Sequence, residues 1–186
     1  FIYLASQSPR RSQLLDQIGV SHQILVADAA ENAIEDAESL EIALKNEAPK
    51  TYVIRVAGLK LDAAVARMKK RGLAAAPVLC ADTTVAMGRV IYGKPENVAD
   101  AAHMLAELSG KTHRVLTAVA IAHGRKRLSL LSESKVTFAK MTKAQIASYV
   151  AMGEPLTETA WAMRVHLKPF VRLIWLGALM MGFGAV

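Results

Sequence analysis

The stretch PVLCADTTVAMGRVIY, residues 77–92, decides the fold. From Pro77 to Met87 the residues are small or β-branched, which suits a strand, and Gly88-Arg89 is short enough to turn the chain back into Val90-Ile91-Tyr92 as a hairpin. Upstream, about Lys50 to Arg71 carries Val53, Ala57, Leu61, Ala64 and Met68 at the core-facing spacing of a helix. Downstream, Asn97 to Leu108 is an amphipathic helix that ends at Ser109-Gly110. A hairpin set between helices implies a mixed sheet, because a fully parallel sheet needs a crossover after every strand.

The flanks extend this pattern. Phe1 to Ala5 reads as a buried strand, and Pro9 to Ile18 as a helix with Ser8 as its cap, Pro9 at its first position and Gly19 at its end. Residues 22–27 suit a second strand, and an acidic loop runs from Asp28 to about Glu41. Thr112 to Ala122 and Leu128 to Phe138 form strands around the turn His123-Gly124-Arg125, and Thr142 caps a helix to about Met152. The expected class is α/β, a mixed β-sheet flanked by helices.

Composition narrows the function. The chain has 186 residues, 53% hydrophobic and 21% charged, enough for one well-packed domain. Its single cysteine, Cys80, excludes an internal disulfide, and the scattered histidines have no zinc spacing. A reducing, cytoplasmic setting fits. The formal charge of +7 favours an anionic partner. Nucleic acid is set aside, because no aromatic platform is interleaved with the basic residues. The start of the chain passes at once from Phe1–Ser6 to Ser-Pro-Arg-Arg, so no signal peptide is expected.

Three places carry chemistry. Ser6-Gln7-Ser8-Pro9-Arg10-Arg11 lies at a strand-to-helix junction, where free N–H groups, two hydroxyls and two guanidinium groups suit a phosphate chain; a capped surface helix with solvated arginines is the plainer reading. Asp82 stands inside an apolar strand, where a carboxylate is costly unless paired. It suits holding Mg²⁺ or taking a proton from water, against the reading of an outward-facing or turn-bonded carboxylate. Lys94, between Gly93 and Pro95, is either a phosphate ligand or an ordinary turn lysine. Lys60 and Arg55 read as solvated helix residues unless their helix borders a cleft, Glu31 as a metal ligand by chemistry alone, His113 as structural and Cys80 as a small core residue.

Taken in order, LASQSPRRSQLL (4–15), YVIRVAGLK (52–60), CADTTV (80–85), GKP (93–95), LSGKTHRVLTAVA (108–120) and the run from VTFAKMT to YVAMGEP (136–155) resemble the Maf family of nucleoside triphosphate pyrophosphatases. The resemblance implies an elongated, Maf/ITPase-like α/β fold over residues 1–155 and a homodimer. It also implies hydrolysis of a nucleotide to the monophosphate and pyrophosphate with a divalent metal, Mg²⁺ or Mn²⁺. It implies Asp82 as proton acceptor for the attacking water and metal ligand, Ser6, Ser8, Arg10, Arg11, Lys60 and Lys94 around the phosphates, and Glu31 supporting the metal. The Pro-Arg-Arg and Ala-Asp-Thr forms look like the branch acting on dTTP and UTP, with modified pyrimidine nucleotides as an extension, which makes Arg10 and Thr83 specificity positions.

After Glu154-Pro155 the family pattern stops. Leu156 to Ala160 resembles a remnant of the family's last helix, residues 156–186 form an atypical hydrophobic tail, and His166 to Gly177 looks like part of a cytochrome c biogenesis haem lyase. The uncharged run Leu173–Val186 has 14 residues, below the roughly 18 to 20 of a spanning helix, so membrane contact would be interfacial; packing on the domain or across a dimer are the other readings. Because the family's C-terminal substrate segment is missing, a catalytically impaired nucleotide-binding regulator is the alternative function.

Overall fold

Gly88 turns the chain at a φ of +61°, in the left-handed region that glycine enters without a Cβ penalty. The arms it joins are β3 (Val78–Met87) and β4 (Val90–Tyr92), antiparallel with Val85 opposite Tyr92 and Met87 opposite Val90. The computed structural model describes residues 1–28, 39–151, 154–157 and 160–162. Within them β1 (Ile2–Leu4) runs parallel to both β2 (His22–Ile24) and β3. The strand order is β2-β1-β3-β5-β6, with β5 at Thr112–His123, β6 at Lys126–Thr137 and β4 paired to β3. The sheet is mixed, as the hairpin requires. The helices are α1 (Pro9–Gln17), α2 (Pro49–Lys70), α3 (Val98–Leu108) and α4 (Lys143–Ala151), with a 3-10 turn at Ser39–Glu41.

The chain divides into two units, Phe1–Thr83 with Leu116–Ser132, and Thr84–Val115 with Glu133–Val186. In the first, Leu4, Leu15 and Leu79 form a buried cluster joined by Ile2, Ile18, Val20, Val119 and Ile121, so α1 packs its apolar stripe on the sheet. Helix α2 buries Tyr52, Val53, Val56, Ala57, Leu61 and Ala64. Met68, expected on that face, is only half-buried, and Arg67 is buried in its place. A periodic reading passes over Arg67 because of its charge. Its Nη1 donates to Leu25 O at 3.1 Å, a bond that helps to make the burial tolerable.

The second unit has its own core. Ala101 and Leu105 of α3 pack on Ile146 and Val150 of α4, with Phe138, Met141 and Tyr149 around them. Both helices start on side-chain caps. Asn97 Oδ1 accepts from Asp100 N–H at 2.9 Å. Thr142 and Gln145 form a reciprocal capping box, Thr142 N–H donating to Gln145 Oε1 and Gln145 N–H to Thr142 Oγ1. His113 on β5 is buried and lies edge-on to Phe138, ring centroids 4.5 Å apart, with Nδ1 lacking a partner among the described residues. Burial pushes its pKa below the ordinary value, opposed by a backbone hydrogen bond at Lys111.

One expectation is corrected at the end of the described chain. Of the expected Leu156–Ala160 helix, the described residues Leu156, Thr157 and Ala160 are in strands: β7 (Glu154–Thr157) and β8 (Ala160–Ala162) pair antiparallel, Glu154 opposite Ala162 and Pro155 opposite Trp161. Pro155 biases its predecessor towards extended backbone, Thr157 is β-branched, and one turn of helix is too short to propagate. The rest of the 156–186 tail, including the apolar run from Leu173, lies outside the described residues. Among the described residues, no helix is long and apolar enough to cross a membrane.

Leu105→Ala should cost about 3 kcal/mol in urea denaturation, and Thr142→Ala about 1 kcal/mol; equal losses would contradict this division between core and cap. Because the folded-state pKa of His113 lies below its ordinary 6.5, the unfolded chain binds the proton more readily. The stability from neutral His113 is therefore complete above that value and falls as the pH drops through and below it. Melting temperatures from pH 7 down to 5 should fall less steeply in His113→Gln than in the wild type.

Candidate functional site

Parallel pairing sets Leu4 beside Leu79, and the Ala5 N–H donates to Leu79 O at 2.8 Å. Strand β1 therefore runs out beside Cys80-Ala81-Asp82. The chain then bends through Ser6 to Ser8 into α1. Ser6 is buried, and its Oγ accepts from the Ser8 N–H at 3.2 Å and from Arg11 Nη1 at 3.0 Å. Ser8 is the N-cap by position, but its hydroxyl makes no cap bond. The hydroxyl that organises the junction is that of Ser6, which reaches forward to both the loop amide and the first turn of α1. Arg10 is exposed and Arg11 half-buried. Burial lowers the Arg11 pKa, opposed by Cys80, Asp82 and Glu41 in that order, so this guanidinium lies within the field of the carboxylates.

Strand β3 has neighbours on both edges, and its residues from Val78 to Asp82 are all buried, as a central strand dictates. Asp82 is only 8% exposed. The carboxylate is paired: Lys60 Nζ, from α2, donates to Asp82 Oδ1 at 2.6 Å and to Glu41 Oε1 at 2.7 Å. The reading of Lys60 as a solvated helix residue is thus overturned. A helix period tells which face a residue occupies, but not that a buried acid waits on the facing strand. Burial works against the Lys60 charge, yet the attraction of Asp82 and the hydrogen bonds from Asp82 and Glu41 outweigh it and raise the pKa. Lys60 stays an ammonium. Burial likewise pushes up Cys80 and Tyr52, the latter raised further by Asp82 and Glu41.

Arg55 is also misread as solvated, being tied to Glu47 by its Nε at 2.7 Å. Glu41 is the residue that sequence reasoning missed. It belongs to an acidic stretch with Glu31, Glu35, Asp36 and Glu38, and nothing in their spacing singles it out. Glu31 lies outside the described residues. Thr83 is exposed beside Asp82, with its Oγ1 3.1 Å from Thr117 Oγ1 on β5. Lys94 belongs to the second unit, exposed in the loop after β4. Ser6, Arg11, Lys60 and Asp82 thus share one region of the first unit.

Among the described residues, no group of three or more His, Cys, Asp or Glu side chains could hold a metal ion. The donor chemistry nevertheless fits a divalent cation of the Mg²⁺ type. Asp82 and Glu41 are hard oxygen donors converging on one positive centre. Mg²⁺ is usually held by one or two carboxylates, its other positions filled by water and substrate phosphate.

Known proteins resemble this chain over most of its length. Relatives named dTTP/UTP pyrophosphatase are 59% identical over 172 residues in Albidiferax ferrireducens, covering 92% of this chain and 84% of that protein. The Polaromonas protein of the same name is 62% identical over 172 residues, covering 92% and 83%. The Ham1 protein of Staphylococcus aureus aligns with a TM-score of 0.45 and 13% identity over 74% of this chain and 71% of its own. The sequence profile described as Maf-like protein matches residues 1–172. With a match over most of its length, the chain belongs to the Maf-like protein family.

Proposed function

We propose that this chain is a hydrolase of acid anhydrides that cleaves nucleoside triphosphates, dTTP and UTP foremost and modified pyrimidine nucleotides by extension, to the monophosphate and pyrophosphate. The observation that carries the reading is the Lys60 ammonium seated between Asp82 and Glu41, beside a serine and arginine junction suited to phosphates. The names of the relatives supply the substrate class.

In this reading Arg11 and Ser6 bind phosphate oxygens, the guanidinium offering fixed charge and the loop its N–H groups. Asp82 takes a proton from a water whose oxygen attacks the α-phosphorus. The bond from that phosphorus to the bridging oxygen breaks, and pyrophosphate leaves. Lys60 donates to the Asp82 carboxylate and holds its oxygen in one direction. A divalent cation, Mg²⁺ or Mn²⁺, held by Asp82 and Glu41, would supply neutralisation of phosphate charge. Arg10 and Thr83, both exposed near the ends of the site segments, are the proposed discriminators of the base. Ser8 would add to the phosphate contacts, with Glu31 a further support for the cation, and Lys94 is proposed as a phosphate-binding lysine on the chemistry of its side chain alone.

The same reading includes a cytoplasmic homodimer. The nucleotide substrate supports the compartment, and the exposed Leu128 and Leu130 on the edge strand β6 support the pairing of copies. A nucleotide-binding regulator without turnover is less well supported, because the relatives are named for turnover and the ionic cluster is intact.

Asp82→Asn should retain the wild-type circular dichroism while kcat for pyrophosphate release from dTTP falls by about 10²–10⁴-fold. Chelation should stop the wild-type enzyme and added Mg²⁺ or Mn²⁺ restore it. Full turnover in Asp82→Asn would remove it as the proton acceptor. Arg11→Ala should raise KM by about tenfold or more, the loss of one charge-assisted contact of about 1.5–3 kcal/mol. Arg10→Ala should instead change the ratio of kcat/KM between dTTP and purine triphosphates, measured by the same pyrophosphate assay.

A further inference from the structure

The segment from Glu41 to Glu47 links the 3-10 turn to α2 and has no helix or strand of its own beyond Glu41. It is nevertheless fastened at several points, each to α2 or to itself. Arg55 Nε reaches Glu47 Oε1 at 2.7 Å and its Nη2 reaches Glu47 Oε2 at 2.8 Å, a fork-on-fork pair. The same Nη2 donates to Ile42 O at 2.9 Å. Glu47 Oε2 also accepts from the Leu44 N–H at 3.0 Å, while the Glu47 N–H donates to Leu44 O at 3.0 Å. Tyr52 OH donates to Glu41 O at 2.8 Å, and the Arg55 guanidinium carbon stands 5.6 Å from the centre of the Tyr52 ring.

These bonds have a cost to offset. Fixing an irregular segment costs backbone entropy, and Asn46 is held at a φ of +62°, uncommon outside glycine. The Glu47 side chain is only 5% exposed because Arg55 covers it, and its charge is met there. Hydrogen bonds from Arg55 hold the Glu47 carboxyl below its ordinary range, and those same bonds raise Arg55. The pair is ionised at neutral pH. What this fastening delivers is Glu41, the residue at the start of the segment, whose carboxylate receives Lys60.

We propose that Arg55 and Glu47 are positioning residues for catalysis: their bidentate pair clamps segment 41–47 to α2 and so holds the Glu41 carboxylate on the Lys60–Asp82 pair. The consequence for turnover rests on the pyrophosphatase reading; the clamp itself rests on geometry. Tyr52 assists by holding the Glu41 backbone. Arg55 acts through Glu41 and touches neither nucleotide nor Asp82 in this scheme.

The test is a double-mutant cycle of Arg55→Gln and Glu41→Gln, with dTTP turnover and hydrogen exchange as separate readouts. Arg55→Gln should lower kcat by about 10–100-fold, the scale expected of a small misplacement near the chemistry. KM should stay within about twofold, since Arg11 and Ser6 are untouched. In the Glu41→Gln background the same substitution should cost nothing further, because the clamp has nothing left to position. Amide exchange should quicken across residues 41–47 in Arg55→Gln and Glu47→Gln, and not in β3. Arg55→Lys, which keeps the charge and loses the fork, should fall between wild type and Arg55→Gln, and carries the cycle if Arg55→Gln does not fold. Wild-type kcat in Arg55→Gln, an equal loss in both backgrounds, or unchanged exchange across 41–47 would overturn the proposal. Absence of turnover in the wild type would overturn the pyrophosphatase reading instead, and exchange alone would then decide whether the clamp exists.

Discussion

A carboxylate sits in the middle of a sheet. Strand β3 has partners on both edges, and Asp82 is buried on it with Val78, Leu79, Cys80 and Ala81. Such a group is tolerated only against a cation with directed hydrogen bonds, and Lys60 supplies one from α2 at 2.6 Å. The ammonium then takes Glu41 as a second partner, so one cation from α2 joins the strand carboxylate to the 3-10 turn. Arg11 lies in the field of the same carboxylates, which favour its charge against the burial that opposes it.

The strand-to-helix junction shows the same economy of groups. A reading by residue type gives the cap to Ser8 and the phosphate to both serines. In the folded chain the Ser6 hydroxyl is already used by the Ser8 N–H and the Arg11 guanidinium. Ser6 therefore sets the direction of Arg11, and its own contact with phosphate would be made with that geometry in place. A hydroxyl can donate while accepting, so the two roles are compatible.

The fold was legible where physics is local. The turn at Gly88-Arg89 and the cap at Thr142 each need only a few neighbouring residues, and each stands where its sequence places it. The apolar spacing of α2 gave Val53, Ala57, Leu61 and Ala64 correctly. What failed depends on contacts distant in sequence. Arg67 is buried because Leu25 offers a carbonyl, 42 residues away. Glu41 stands out because Lys60 lies opposite it, and no spacing within residues 28–41 encodes that. Leu156 and Thr157 failed for a local reason instead: their strand pairs with Ala160–Ala162 just after it, which a reading for one helix does not weigh. Asp82 was legible for the opposite reason: a charge inside an apolar run is conspicuous in itself.

Helix α2 links these two kinds of information. Tyr52, Arg55 and Lys60 come from the same rigid rod, so the spacing between the clamp on segment 41–47 and the ammonium at Asp82 is set by helical rise and rotation rather than by loop conformation. The register of that rod is in turn fixed by its buried face, Val53, Val56, Ala57 and Leu61, all at most 2% exposed. Slippage of the helix by one residue would rotate it by about 100° and carry Lys60 away from Asp82 while exposing that face to water. Core packing and site geometry are therefore not separate properties of this chain. The apolar periodicity from residue 53 to 64 is readable without knowing any chemistry, and it is also what holds the charged groups to within hydrogen-bonding distance of one another.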